Sequence, residues 1–181
     1  AALERSSRAI LGLKWSPKML LLAAPAQGAT LQVGTDQAYT RVSDAVLASS
    51  PGDVIEVDPG EYVDDWVVFP HGDLIIRSSS TERPVLRVTQ DISNRKGIFV
   101  IPVDAGPVEI DGLHFEGARI PESEGGNGAG IRMQGSALTV NNCVFTGNQN
   151  GLLAGGTQDF TVSVTHSVFD HNAQQSDGYE H

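Results

Sequence analysis

Apolar and polar residues alternate along much of this chain, and one version of the alternation occurs three times. The stretch from residue 108 to 118 lines up with 138–148, and both line up with 162–172. Each copy alternates apolar with polar residues, passes through a polar turn, and reaches a phenylalanine: Phe115, Phe145 or Phe169. The phenylalanines lie 30 and 24 residues apart. Strict alternation marks a half-buried strand, and a recurrence at this period marks a solenoid in which each copy is one coil. A second series runs beside the first, with Gly97, Gly130 and Gly151 each opening a short apolar run. Two strand series per period mean that each coil contains several short strands, each stacked on its predecessor. Equal repeat positions must superpose. Ile110, Val140 and Val164 should therefore form one interior column and the three phenylalanines another.

Upstream, the pattern changes period. Leu31 to Val33 is a short strand, and Thr40 is placed to cap a helix over 41–48 that carries Val42, Ala45 and Val46 on one face. Pro51 and Gly52 end it, and Val54, Ile55 and Val57 open the first coil, followed by a turn at Pro59 and Gly60 into Tyr62. A helix here has a physical task, because the first coil of a solenoid exposes unpaired backbone groups and an open core. The spaced set Tyr39, Val42, Ala45, Val46, Pro51, Gly52, Asp53, Ile55, Val57, Pro59, Gly60 and Tyr62 resembles the N-terminal cap of the pectin-lyase-like superfamily. That resemblance implies an all-β fold, a right-handed parallel β-helix (solenoid) with a short N-terminal capping α-helix, over about residues 31–181. It implies no single reaction, since the superfamily holds lyases, hydrolases, esterases, epimerases and non-catalytic modules. Asn148 and Asn172 share a turn position and resemble the stacked asparagine ladders of the superfamily, a structural role.

Ahead of the cap, basic residues precede an apolar run from Met19, and Ala26 and Gly28 supply small residues near its end. Residues 1–29 read as a signal peptide, with a disordered N-terminal tail as the alternative, and 30–181 as the β-helix domain. The expected location is secreted or periplasmic. The apolar run is too short for a membrane span, which takes roughly 18 residues. The chain stops after a run of Asp177, Tyr179, Glu180 and His181, so a domain cut short at its C-terminus is expected.

Composition adjusts this picture in two ways. The formal charge of −10, with three lysines only, leaves no basic tract for nucleic acid. It leaves room for an acidic glycan partner if calcium bridges the two, so calcium is the one cofactor expected. Cys143 is the single cysteine, so no intrachain disulfide forms, and its repeat position marks it as a small buried side chain. A monomer is expected.

The candidate chemistry is that of a lyase or epimerase on uronate-containing polysaccharide, the alternative being a non-catalytic glycan-binding or accessory module. The polygalacturonase-like and pectin-esterase-like elements of the superfamily are missing. Removing the proton α to a uronate carboxylate needs a base and a cation to meet the developing charge. Arg132 alternates with Ile131 and Met133 and should point outward as that cation. Asp177, Tyr179 and His181 offer acid–base groups. The loop 118–130 carries Glu122, Glu124 and Asn127 in the longest insertion of the repeat, and insertions in solenoids line binding faces. Glu116 and Asp170 share a repeat position two coils apart, about 10 Å at the sheet spacing, and His171 follows Asp170. The segment 61–65, with Glu61, Asp64 and Asp65, reads as a solvated turn with a secondary prospect of binding calcium.

Overall fold

The computed structural model describes residues 28–135, 137–156 and 159–173. A first strand, β1 (Thr30–Val33), and a helix, α1 (Val42–Ala48), form the cap. The first coil is β2 (Val54–Val57), β3 (Glu61–Val63) and β4 (Val67–Val68), and the second is β5 (Leu74–Ser78), β6 (Val85–Arg87) and β7 (Gly97–Ile101). The third is β8 (Val108–Asp111), β9 (His114–Glu116) and β10 (Ala129–Met133), and the fourth is β11 (Ala137–Asn141), β12 (Val144–Thr146) and β13 (Asn150–Ala154). Strands β14 (Thr161–Thr165) and β15 (Val168–Asp170) belong to a fifth. Every strand pairs in parallel with its counterpart one coil away. Three sheets result. Sheet A is β1-β2-β5-β8-β11-β14, sheet B is β3-β6-β9-β12-β15, and sheet C is β4-β7-β10-β13. This is a parallel β-helix.

The interior columns follow the expected register. Leu31, Ile55, Ile76, Ile110, Val140 and Val164 are successive partners on sheet A. On sheet B the sequence Tyr62, Leu86, Phe115, Phe145, Phe169 is equally continuous. The rings of Phe115 and Phe145 stack at 5.1 Å and those of Phe145 and Phe169 at 4.6 Å. Phe69 and Phe99 extend the aromatic run edge-on from sheet C, at 5.3 and 5.1 Å. Phe169 and Val164 depart from the expected burial, being 48% and 41% exposed. They stand in the last described coil and have a described neighbour on one side only.

The corner between sheets A and B takes two residues in the later coils, and the first is left-handed each time: Gly112, Asn142 and His166. The corner after sheet B repeats this at Gly117, Gly147 and His171. His166 and His171 are thus corner residues in a repeated backbone turn. One position further, Asn148 and Asn172 form the ladder. Asn148 Nδ2 donates to the Phe115 carbonyl at 3.1 Å and to Asn172 Oδ1 at 3.0 Å, and Asn148 Oδ1 accepts from the Ala118 N–H at 2.8 Å. Asn172 Nδ2 donates in turn to the Phe145 carbonyl at 3.0 Å.

The second series needs a correction of one residue. Gly130 and Gly151 occupy equal positions, but Gly97 pairs with Ala129 rather than with Gly130. Side-chain volume explains the slip. A Cβ on Gly130 would lie 2.9 Å from the Phe145 ring and one on Gly151 would lie 2.6 Å from the Phe169 ring, so these glycines make room for the phenylalanine column. In the second coil the sheet B position is held by Leu86, and Phe99 comes in from sheet C instead. The pattern of large side chains sets the register, not the glycines.

The helix also differs from expectation in its cap. It packs Val42, Ala45 and Val46 into the core as foreseen, but Thr40 does not cap it and neither does the adjoining Arg41. The cap is Asp65, from the corner after β3. Its carboxylate accepts from the N–H of Val42 at 2.7 Å and of Ser43 at 3.3 Å, and it meets the Arg41 guanidinium at 3.3 Å. Asp65 is 2% exposed, so within the run 61–65 read from the sequence as a solvated turn this residue is a buried helix cap, while Glu61 and Val63 are exposed.

Candidate functional site

Outward residues on sheet B form one charged strip. Glu61, Val85, His114, Val144 and Val168 make one row, and Val63, Arg87, Glu116, Thr146 and Asp170 the next. Arg87 bridges Glu61 at 3.0 Å and Glu116 at 3.3 Å. Thr146 lies between Glu116 and Asp170, as the repeat required. His171 pairs with Asp170 at 2.7 Å. His114 Nε2 lies 2.6 Å from Thr146 Oγ1. Burial pushes the His114 imidazole below its ordinary value; Glu116 pulls it up, and Arg87 and Arg83 push it down. The folded chain therefore resists protonating His114. Its contribution to stability should be whole above about pH 6.5, the ordinary value, and be lost as the pH falls through the depressed value of the folded state. Melting temperature followed from neutral to mildly acidic pH should fall less in His114→Gln than in the wild type. Parallel curves for the two would show that the imidazole is not linked to folding.

The insertions sit at the corner between sheets B and C. Residues 88–96 of the second coil and 117–128 of the third stack on each other as a ledge. The Ile92 N–H donates to the Arg119 carbonyl at 3.0 Å, Arg119 pairs with Asp91 at 3.5 Å, and Arg95 pairs with Glu124 at 3.0 Å. Glu122 to Glu124 form a single 3-10 turn, exposed to solvent, and Asn127 is half-buried beyond it. Gln149 ties the loop's neck: its Oε1 accepts from the Ile120 N–H at 2.9 Å and the Gly128 N–H at 2.7 Å, and its Nε2 donates to the Ile120 carbonyl at 3.0 Å. The ledge is a built structure.

Arg132 lies beyond the ledge on sheet C, between Val100 on β7 and Leu153 on β13. It is half-buried, its Nε has no hydrogen-bond partner, and burial holds the guanidinium below its ordinary value. Gln134, two residues on, shares its side of the strand. The Lys96 ammonium reaches Gln134 Oε1 at 3.1 Å, which brings a second cation onto the same face.

Charge accounting leaves three described cations without a carboxylate, two of which share this face. The chain has 12 Lys and Arg, of which Arg5, Arg8, Lys14 and Lys18 fall outside the described residues, leaving 12 − 4 = 8. Arg41, Arg77, Arg87, Arg95 and Arg119 each pair with a carboxylate. Arg83 is held by Asn142. Arg83, Lys96 and Arg132 have no carboxylate among the described residues, in a chain of net charge −10, and of the three Lys96 and Arg132 share the sheet C face.

The sequence-derived site residues thus fall on two faces. Glu116 and Asp170 lie on sheet B, with His171 at the corner just after it; Arg132 lies on sheet C; Glu122, Glu124 and Asn127 lie on the ledge at the corner between the two sheets. Asp177, Tyr179 and His181 lie outside the described residues. Lys96 and Gln134 were not singled out by sequence, and Asp65 was read there as part of a solvated turn or calcium site rather than as a helix cap. Among the described residues, no three acidic, histidine or cysteine groups converge so that they could hold a metal ion. Asp64 accepts from the Thr89 N–H and Oγ1, both at 2.8 Å, and Asp65 caps the helix, so the carboxylates of segment 61–65 do not fit a calcium cage. Burial pushes the Cys143 thiol up to about 11, in keeping with its place as a buried corner side chain. No helix among the described residues is long and apolar enough to cross a membrane.

No family model matches the sequence, and no curated protein matches it. Among solved structures, the fold is similar to that of the PL6 family alginate lyase AlyGC, with a TM-score of 0.59 at 21% identity. It is similar also to a variant of that enzyme with an arginine replaced by alanine, with a TM-score of 0.52 at 18% identity. Both matches cover 90% of this chain and 23% of the other, so the chain spans about a quarter of the length of the structures it resembles. The likeness is one of fold: both are parallel β-helices.

Proposed function

We propose that this β-helix binds a uronate-containing polysaccharide on sheet C and acts on it as a lyase or epimerase. The observation that carries the reading is the pair Lys96 and Arg132, two cations on one face without carboxylate partners among the described residues. A half-buried guanidinium whose Nε has no partner gains a charge-assisted hydrogen bond when an anion occupies the site. A uronate carboxylate is such an anion, and its planar shape suits the guanidinium fork. The likeness in fold to a lyase of alginate, itself an acidic polysaccharide, supports the substrate class. In this reading Arg132 neutralises the carboxylate as charge develops at the α carbon, and the acid–base groups proposed are Asp177, Tyr179 and His181. The protein is proposed to work outside the cell, where such polysaccharides are met, with calcium as an optional bridge to the glycan.

The test combines binding and turnover. Arg132→Ala should weaken binding of an oligouronate at least ~10-fold, about 1.4 kcal/mol, with little change in melting temperature. In parallel, ultraviolet absorbance would follow the unsaturated uronate ends that a lyase creates, with calcium and with a chelator. Equal oligouronate affinity in wild type and Arg132→Ala would overturn the sheet C site. Binding without any rise in absorbance, and without epimerised product, would replace the enzymatic reading by the glycan-binding module.

A further inference from the structure

The proposed site says which groups meet the carboxylates but not how a sugar chain lies on the coils. Trp66 supplies a direction. It precedes β4 and stands two residues before Val68, so the two share the outer side of the strand. Its Nε1 donates to Ser93 Oγ at 3.2 Å, which holds the indole against the second-coil part of the ledge. It is half-buried, with part of its surface packed on the core and part open. Val68 pairs with Val100, Val100 with Arg132, and Arg132 with Leu153, so one row crosses four coils, covered over at Val100 and exposed at Val68. Trp66 stands two residues before Val68, the row's first-coil member; Lys96 enters from the second coil, and Arg132, in the row, and Gln134, two residues beyond it, stand in the third. With coils about 4.8 Å apart, the strand of Trp66 and that of Arg132 are separated by roughly 10 Å.

Resting on the reading above, we propose that an acidic oligosaccharide lies across the first three coils, along the solenoid axis. One sugar ring packs its C–H face on the Trp66 indole, while carboxylates further along are met by Lys96 and Arg132. An amphipathic ring with one fixed polar end is well suited to such a partner, since it offers a flat apolar face beside water. Gln134 acts as a positioning residue. A neutral amide acceptor holds the Lys96 ammonium over the sheet without cancelling its charge, and leaves two of its three N–H donors for ligand. A carboxylate at that position would hold the lysine equally well and neutralise it.

The chain contains two tryptophans, Trp15 and Trp66, so a Trp15→Phe background reports on Trp66 alone. Titrating that full-length chain with an oligouronate series of increasing length should give a saturable change in tryptophan emission. The same oligosaccharides with their carboxyl groups reduced to alcohols should give none. Gln134→Glu should weaken binding at least ~10-fold and flatten its dependence on salt. Trp66→Leu should weaken the longer oligomers several-fold and leave the monosaccharide unchanged, with melting temperature confirming that the variant folds. If Arg132→Ala weakens binding while Trp66 emission stays silent and Trp66→Leu binds every length as the wild type does, the axial placement is overturned and the sheet C site stands. If the reduced oligosaccharides bind as well as the acidic ones, the site itself falls.

Discussion

Replacing Phe145 by alanine is expected to cost about 3–5 kcal/mol of stability, as a large aromatic deletion from a packed core does. Phe145 is fully buried, with the Phe115 ring 5.1 Å to one side and the Phe169 ring 4.6 Å to the other. The cavity would be walled by two flat rings held by their own strands, and by Gly130, which has no side chain to move into it. Stacked rings also lose their mutual attraction, about 0.5–1.5 kcal/mol per pair beyond area burial. Phe169→Ala is the internal control. The same chemical change at a ring that is 48% exposed should cost markedly less. Denaturant unfolding of both variants checks this, and a Phe145→Ala loss no larger than that of Phe169→Ala would mean the column does not bear on stability as its geometry requires.

What could be read from the sequence was whatever the repeat states more than once. The phenylalanine column, the Ile110–Val140–Val164 column and the asparagine ladder each recur at equal positions, so superposing the copies places them correctly. The cap helix was legible because its apolar face recurs at helical spacing. The second coil was less so, because Leu86 replaces phenylalanine there and Phe99 fills the space from another sheet, which shifts the apparent alignment of Gly97 by one residue. Long-range single contacts were not legible at all. Lys96 joins Gln134 across 38 residues, and no local pattern announces that bond. The candidate site was partly legible for the same reason. The alternation around Arg132 gives its outward direction, but no local spacing tells that Glu116 and Asp170 belong to a neighbouring sheet, where Arg87 and the corner residue His171 engage them.

Asp65→Ala is expected to be the second most damaging substitution of those considered, at about 2–4 kcal/mol. An N-cap deletion costs about 1 kcal/mol on its own. Here the cap comes from another coil, and its loss strands the N–H groups of Val42 and Ser43, each buried, at about 1–3 kcal/mol for a donor left without a partner. The two costs overlap, which sets the range below their sum. The Arg41 contact adds little, because that guanidinium is about half exposed. The consequence reaches beyond the helix. Val42, Ala45 and Val46 cover the core at the end where β1 and β2 begin the solenoid, so loosening α1 opens an unpaired β edge to other molecules. Asp65→Asn keeps an oxygen acceptor for one N–H and should fall between the alanine variant and the wild type. Thermal unfolding read together with light scattering tests the sequence of events: the alanine variant should scatter early, near the temperature at which its helix is lost. A variant that melts with the wild type and stays monodisperse would show that the cap needs no carboxylate from the first coil.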